Sequence, residues 1–344
     1  MWPGGATTPQ AGWAVLLDPA GVVDTVGPAT GLPDGVRRVG GAGAWVGPGI
    51  VDAHVHLAFG APEEMARSGV VAVRDLGAPP ALATGWRTSG PPPAGSPHVE
   101  VAGPILTAPR GYPSTSWGRD GFARFVDSPV AAERAVGELA DAGVDVVKVA
   151  LEPAGGQPVP PGDVVRAVVA AAHRLGLEVT AHALTVAMVR RALEAGVDEL
   201  CHTPVEPLPP ELVDRIAGAG VSVVSTIQTL CSAGAAGPVT NARALIAGGV
   251  RLVYGTDLGN AGTRTGVDER ELARLAEAGL GALGALRAAT EGSASRLRGA
   301  AVTGRIEPGR PADVVVLRAD PLVDPAAWRS PSLVLVGGRA VGEA

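Results

Sequence analysis

Aromatic side chains make up 3% of this 344-residue chain, and there are two cysteines, Cys201 and Cys231. Two thiols far apart in sequence are too few for a disulfide-stapled scaffold and read as reduced thiols of a cytoplasmic protein. No stretch approaches the roughly 18 uninterrupted apolar residues of a membrane span. The opening Met1-Trp2-Pro3-Gly4-Gly5 has no basic segment leading into an apolar one, so no signal peptide is expected. Basic runs are also missing, and the net charge is −6, which argues against nucleic acid as a partner. What the chain does have is bulk: 46% of its residues are hydrophobic, enough for a large core. The length suits one (β/α) barrel of about 250 residues with a smaller appendage.

The two ends resemble each other and differ from the middle. Trp13-Ala14-Val15-Leu16-Leu17 and Gly21-Val22-Val23 are short strands around an Asp18-Pro19-Ala20 turn, and Ala312 to Leu317 and Leu333 to Val336 read the same way. One small β-sandwich domain built from both termini is therefore expected, from residues 1–47 and 304–344, around a barrel at 48–303.

The middle repeats a helix ending in Gly followed by a short Val-rich strand. The copies are centred on Gly69, Gly143, Gly196, Gly220 and Gly249, with a variant at Gly176. Gly just past a helix is the usual left-handed cap, and short bounded apolar strands suit a buried parallel sheet. Eight strands follow, near 50–56, 69–75, 98–103, 144–150, 177–182, 197–202, 221–227 and 250–257. The helices between them carry their own signals, such as Asp127-Ser128-Pro129 opening Val130–Ala142, and Pro161-Gly162-Asp163 opening Val164–Leu175. The expected fold class is α/β, a (β/α)8 TIM-like barrel; a doubly wound open sheet is the alternative.

The unusual polar residues fall at the C-terminal ends of these strands. In Gly49-Ile50-Val51-Asp52-Ala53-His54-Val55-His56, residues i and i+2 share a face, so two imidazoles converge. Alone, that pair is either a metal-site fragment or two surface histidines. Four of the chain's six histidines end a strand, however: His54, His56, His182 and His202. Asp257 ends the eighth strand, and Lys148 lies within the apolar fourth strand, where a buried ammonium needs an anion or a changed charge state. A closed barrel gathers these ends at one face, where barrel enzymes place their chemistry. His98 and His173 stand outside the pattern. Cys201, next to His202, is expected on the opposite face and is not counted as a ligand. Asp75 is either a partner of the site or a local cap.

These motifs resemble the amidohydrolase superfamily over nearly the whole chain. Pro48 to His56 is similar to its opening strand, and Val144-Asp145-Val146-Val147-Lys148-Val149 to the strand bearing a carboxylated lysine in two-metal members. Thr180-Ala181-His182-Ala183, Leu200-Cys201-His202-Thr203 and Gly255-Thr256-Asp257-Leu258-Gly259 resemble the later ligand positions. Gly304 to Val315 resembles the return into the β domain. The spacing and Lys148 look most like the imidazolonepropionase-like and Xaa-Pro dipeptidase (prolidase) branch. The resemblance implies a divalent metal, zinc first, with His54, His56 and Asp257 on one ion and His182 and His202 on a second. Lys148 would bridge them as an N6-carboxylated lysine. A hydroxide between the ions would attack an amide carbonyl, with Asp257 moving the proton to the leaving amine. An acidic residue often stands in relatives where this chain has Cys201.

The expected reaction is hydrolysis of an amide-type C–N bond in a dipeptide, N-acyl amino acid or cyclic amide. The alternatives are a one-metal aminohydrolase (deaminase) acting on a ring carbon and a non-catalytic barrel. A small-molecule substrate would meet the loop after the third strand, where Arg110, Tyr112 and Trp117 are candidate contacts. Arg264, Arg270 and Glu271 follow Asp257, and Arg264 is the candidate for a substrate carboxylate. A homo-oligomer is compatible with all of this.

Overall fold

The computed structural model describes residues 1–5, 7–299, 302 and 304–342. In chain order, the first strands are β1 (Trp13–Leu17), β2 (Val23–Pro28) and β3 (Trp45–Pro48). Ten follow in the middle: β4 (Ile50–Val55), β5 (Val70–Asp75), β6 (His98–Val101), β7 (Ile105–Thr107), β8 (Ala123–Phe125), β9 (Val146–Ala150), β10 (Glu178–His182), β11 (Glu199–Leu200), β12 (Ser222–Val224) and β13 (Leu252–Val253). The last are β14 (Val314–Leu317), β15 (Leu333–Val336) and β16 (Arg339–Ala340).

Eight of the middle strands close into a parallel barrel. β4, β5 and β6 are neighbours, as are β9 to β13 in sequence order. Asp145 N donates to Val101 O at 2.8 Å and joins β6 to β9. Ala53 N donates to Tyr254 O at 3.1 Å, and a parallel bridge links Val55 to Leu258, which joins β13 back to β4. The barrel strands β11 and β13 are two residues long, shorter than the sequence suggests. The parallel pair β7 and β8 is an addition, inserted between the third and fourth barrel strands with β7 against β9.

All six repeat glycines have positive φ. At Gly196, φ 83° ends the helix Val186–Ala195, and the Gly196 N–H bonds back to Ala192 O and Leu193 O. A side chain there would meet only Val169 Cγ1 at 3.8 Å, so the glycine is needed for its backbone and not for space. Gly196→Ala should therefore cost about 1–2 kcal/mol of left-handed strain. A urea unfolding curve should show this as a lower midpoint at unchanged slope. The helix Pro129–Asp141 starts where the sequence signals it, with Ala131 N donating to Ser128 Oγ at 3.3 Å. Its buried stripe of Ala132, Ala135, Val136 and Leu139 joins the core, and the helix lies beside the helix Gly162–Arg174.

The termini do combine. β3 pairs antiparallel with β14, giving the sheet order β16-β15-β14-β3, while β1 and β2 form an antiparallel ribbon held to it through a Val22–Pro311 bridge. Trp2 is 1% exposed and stands 6.4 Å from Trp45, ring to ring, so the first residues belong to the core. Gly49 carries the chain from β3 into β4 against Val71, whose Cγ1 would lie 2.1 Å from any added Cβ. That close approach leads directly to His54 and His56. No helix among the described residues is long and apolar enough to cross a membrane.

Candidate metal centre

β4 ends at Val55, and both imidazoles emerge at the barrel's C-terminal mouth. His54 is fully buried. Its Nδ1 lies 2.8 Å from Cys201 O; a carbonyl can only accept, so Nδ1 carries the hydrogen and Nε2 the lone pair. That Nε2 is buried and has no hydrogen-bond partner. A buried nitrogen lone pair without a partner is costly in a folded protein, and a metal ion removes the cost. His56 approaches Gly77 O through Nδ1 at 3.4 Å, and its Nε2 also faces inward. Asp257 Oδ1 stands 3.3 Å from His54 Nε2 and 3.4 Å from His56 Nε2, so the three donors converge on one point.

Asp257 has φ 55°, a left-handed conformation rare outside glycine. It is held there by its own N–H, which donates to His54 O at 2.8 Å, and by the residue before it. Thr256 donates through N at 3.0 Å and through Oγ1 at 2.6 Å to the buried Asp52 carboxylate, which also accepts from His54 N at 3.1 Å. Asp52 thus ties the first and last barrel strands together beneath the donors. Burial pushes its carboxyl up to about 7, against these hydrogen bonds.

His202 sits 4.7 Å from the His54 ring and 4.6 Å from the His182 ring. Its Nδ1 is 2.9 Å from Thr226 Oγ1. Burial holds His54, His182 and His202 below their ordinary value of 6.5; for His54 and His202 the neighbouring Lys148 and imidazoles add to it, while Glu152 opposes it at His182. Neutral imidazole is the form that binds a metal, so no proton has to be displaced from these three rings.

One sequence expectation needs correcting here. The sequence pattern runs the strand containing Cys201 to 202, which would put His202 inward and Cys201 outward. β11 stops at Leu200, so Glu199 and Cys201 share the inward face, and His202 enters from the loop beyond the strand. Cys201 is fully buried beside Leu76, Ala102 and Val146. Burial pushes the thiol up to about 11, with Lys148 pulling the other way. The Arg264 guanidinium lies 2.6 Å from Glu269 Oε1, a carboxylate that Arg329 also binds. Arg270 likewise pairs with Asp268 at 2.6 Å, and the buried Glu271 accepts from Ile227 N and Gln228 N at 3.0 and 2.6 Å.

Asp75 accepts from Leu57 N at 2.7 Å and Gly77 N at 3.1 Å, which fixes the turn after His56. Glu152, two residues beyond β9, went unnoticed in the sequence; its Oε2 lies 3.1 Å from His182 Nε2. Its face could have been read from Lys148, four residues earlier on a period-two strand. His98 lies at the opposite end of its strand, 3.8 Å from Asp313, and His173 pairs with Asp198 on the surface at 2.9 Å.

The inserted segment builds one wall of the mouth. Trp117 stands 4.8 Å from the His56 ring and Tyr112 5.0 Å from the His182 ring, and Trp117 Nε1 donates to the Tyr112 hydroxyl at 3.1 Å. Phe59 and Phe122 stack at 5.8 Å behind Trp117. In a chain with three Phe, six Trp and two Tyr, four aromatics in this one place are a concentration. Arg110 is exposed, with φ 63°.

A closed parallel barrel with imidazole and carboxylate donors converging at its C-terminal mouth is the construction of a metal-dependent hydrolase. The model of the amidohydrolase family matches residues 45–341, and the chain belongs to that family. Among solved structures, it is similar to a protein assigned as a prolidase from Bifidobacterium longum (26% identity, 96% of this chain and 89% of that one, TM-score 0.80). It is also similar to the ochratoxinase of A. niger (19%, 100% and 94%, TM-score 0.82) and to phenylurea hydrolase B (21%, 99% and 95%, TM-score 0.75). No curated protein sequence matches the chain.

Proposed function

We propose that the protein hydrolyses an amide-type C–N bond of a small molecule at a zinc centre held by His54, His56 and Asp257. The observation that carries this reading is the buried, partnerless His54 Nε2 facing His56 and Asp257. Two nitrogens and a carboxylate oxygen suit Zn²⁺. A divalent ion bound there supplies a water made acidic enough to attack near neutral pH, and it polarises the substrate carbonyl. The chain supplies the rest. Asp257, whose side chain is 11% exposed at the mouth, takes the proton of the attacking water and delivers it to the departing nitrogen. Tyr112, Trp117, Phe59 and Phe122 shield that transfer from bulk water and give an apolar group of the substrate a face to pack on. The neighbours named as a prolidase and a phenylurea hydrolase fit an amide-type bond in this reading. Dipeptides, N-acyl amino acids and cyclic amides are the substrates to test, and free cysteines fit a reducing, cytoplasmic setting.

In the fuller form of the site, His182 and His202 would hold a second ion, with Lys148, as a carbamate, as a further oxygen ligand. One observation favours a single ion instead, the arrangement of a deaminase: His182 Nε2 faces Glu152 and belongs to neither compact donor group. Metal content per chain, together with the mass of the Lys148 peptide under native conditions, separates the two forms. The function is tested by turnover of those three substrate classes by zinc-loaded protein. No turnover of any C–N substrate by fully loaded enzyme would overturn it.

The aromatic wall makes its own prediction. Trp117→Ala should raise KM roughly three- to tenfold, about 1 kcal/mol of lost aromatic contact, with metal content unchanged. An unchanged KM across the substrate series would remove Trp117 from the binding surface.

A further inference from the structure

We propose that Cys201 is a sulfur ligand of the ion that His54 holds. This rests on the zinc-centre reading above but adds a donor that the family resemblance does not supply. Two compact donor groups exist among the described residues, and His54 is in both: one with His56 and Asp257, the other with Cys201 and His202. In the second group, a ring nitrogen of each histidine and the Cys201 sulfur lie within 4.8 Å of one another, and all three residues are buried. The His54 Nε2 lone pair that marks the zinc centre is fully buried and unpartnered, so the histidine common to both groups still lacks a ligand.

The geometry of the strand makes the position deliberate. Glu199 and Cys201 are the two inward residues of this segment, and Cys201 N donates to Ala181 O at 3.0 Å, which fixes the backbone that carries the sulfur. The carbonyl of the same residue receives the His54 Nδ1 hydrogen at 2.8 Å. Cys201 therefore orients the ring through its backbone, while its sulfur lies within 4.8 Å of a His54 ring nitrogen. Because that hydrogen occupies Nδ1, His54 has one lone pair to give, and an ion it shares with Cys201 is held through Nε2. Imidazole and thiolate together suit zinc and cobalt. On binding, the S–H bond breaks, the sulfur–metal bond forms and the proton leaves to solvent, with no change of oxidation state.

The test uses full-length protein carrying Cys231→Ser, so that Cys201 is the one thiol left. Metal-free protein is titrated with Co²⁺, and binding is followed separately by equilibrium dialysis. The expected result is a thiolate-to-cobalt charge-transfer band in the near ultraviolet that grows with bound cobalt. The band should vanish in the Cys201→Ser/Cys231→Ser protein while cobalt still binds, at least about tenfold more weakly, since even outer partners of ligands cost 10–100-fold. Cys201→Ala serves as the second variant, with circular dichroism confirming the fold. Cobalt bound in full with no such band overturns the sulfur ligand and leaves the zinc-centre reading standing. No cobalt bound by any variant overturns both.

Discussion

His54→Ala should leave a folded barrel with no measurable hydrolysis. The substitution removes the one imidazole common to both donor groups, and with it the nitrogen whose isolation marks the site. It also strands Cys201 O, which loses its donor, at a cost of about 1–3 kcal/mol for a buried unsatisfied group. Far-ultraviolet circular dichroism should therefore keep its shape while the melting temperature falls, and zinc retained after dialysis should drop toward zero. Chelator treatment of the unaltered protein should copy the activity loss without the stability loss from the stranded carbonyl, and added zinc should reverse it. Asp257→Asn is the isosteric companion. It keeps the volume and removes the charge, so lost proton transfer alone should lower kcat roughly 10²–10⁴-fold. Full activity in either variant would dismantle the assignment of the site.

The sequence shows the barrel well because its signals are local. A glycine past a helix needs only its own backbone angle, and six such glycines at φ between 67° and 103° mark the repeat. Histidines at strand ends are legible for the same reason: position in the repeat implies position in the barrel. Counting the alternation back from His202, which lies beyond β11, turns Cys201 outward; counting forward from Glu199 turns it inward. Where a strand ends depends on its neighbours' hydrogen bonds, which are long-range. Glu152, Asp52 and Thr226 act through partners 30, 204 and 24 residues away, and nothing in the adjacent sequence marks those pairings. The β7–β8 insertion is of the same kind. Its three-residue strands carry too little pattern to be told from the loop they interrupt.

Below the metal donors lies a second long-range feature, and it yields the largest effect on stability. Glu199 is fully buried and binds the Arg74 guanidinium through Oε1 and Arg296 Nε through Oε2 at 2.9 Å, while Thr180 Oγ1 donates to it at 2.7 Å. Burial alone would raise the Glu199 carboxyl; Arg74 and Arg296 outweigh it and hold the group below its ordinary value. Arg74 reaches on to Ala53 O at 3.1 Å, directly before His54, and Glu199 sits two residues before Cys201. The network therefore braces both strands that present the shared donor group. Glu199→Ala leaves the Arg74 guanidinium without its anion, while Arg296 keeps Glu178, and Arg74 is 1% exposed, so water cannot replace the carboxylate. The expected loss is about 3–5 kcal/mol, the usual cost of breaking a buried ion pair from one side. Pairing Glu199→Leu with Arg74→Met removes both charges and should recover part of that loss. Urea unfolding of the two single variants and the double variant measures the coupling directly. Simple additivity in that cycle would show that the ion pair does not brace the barrel.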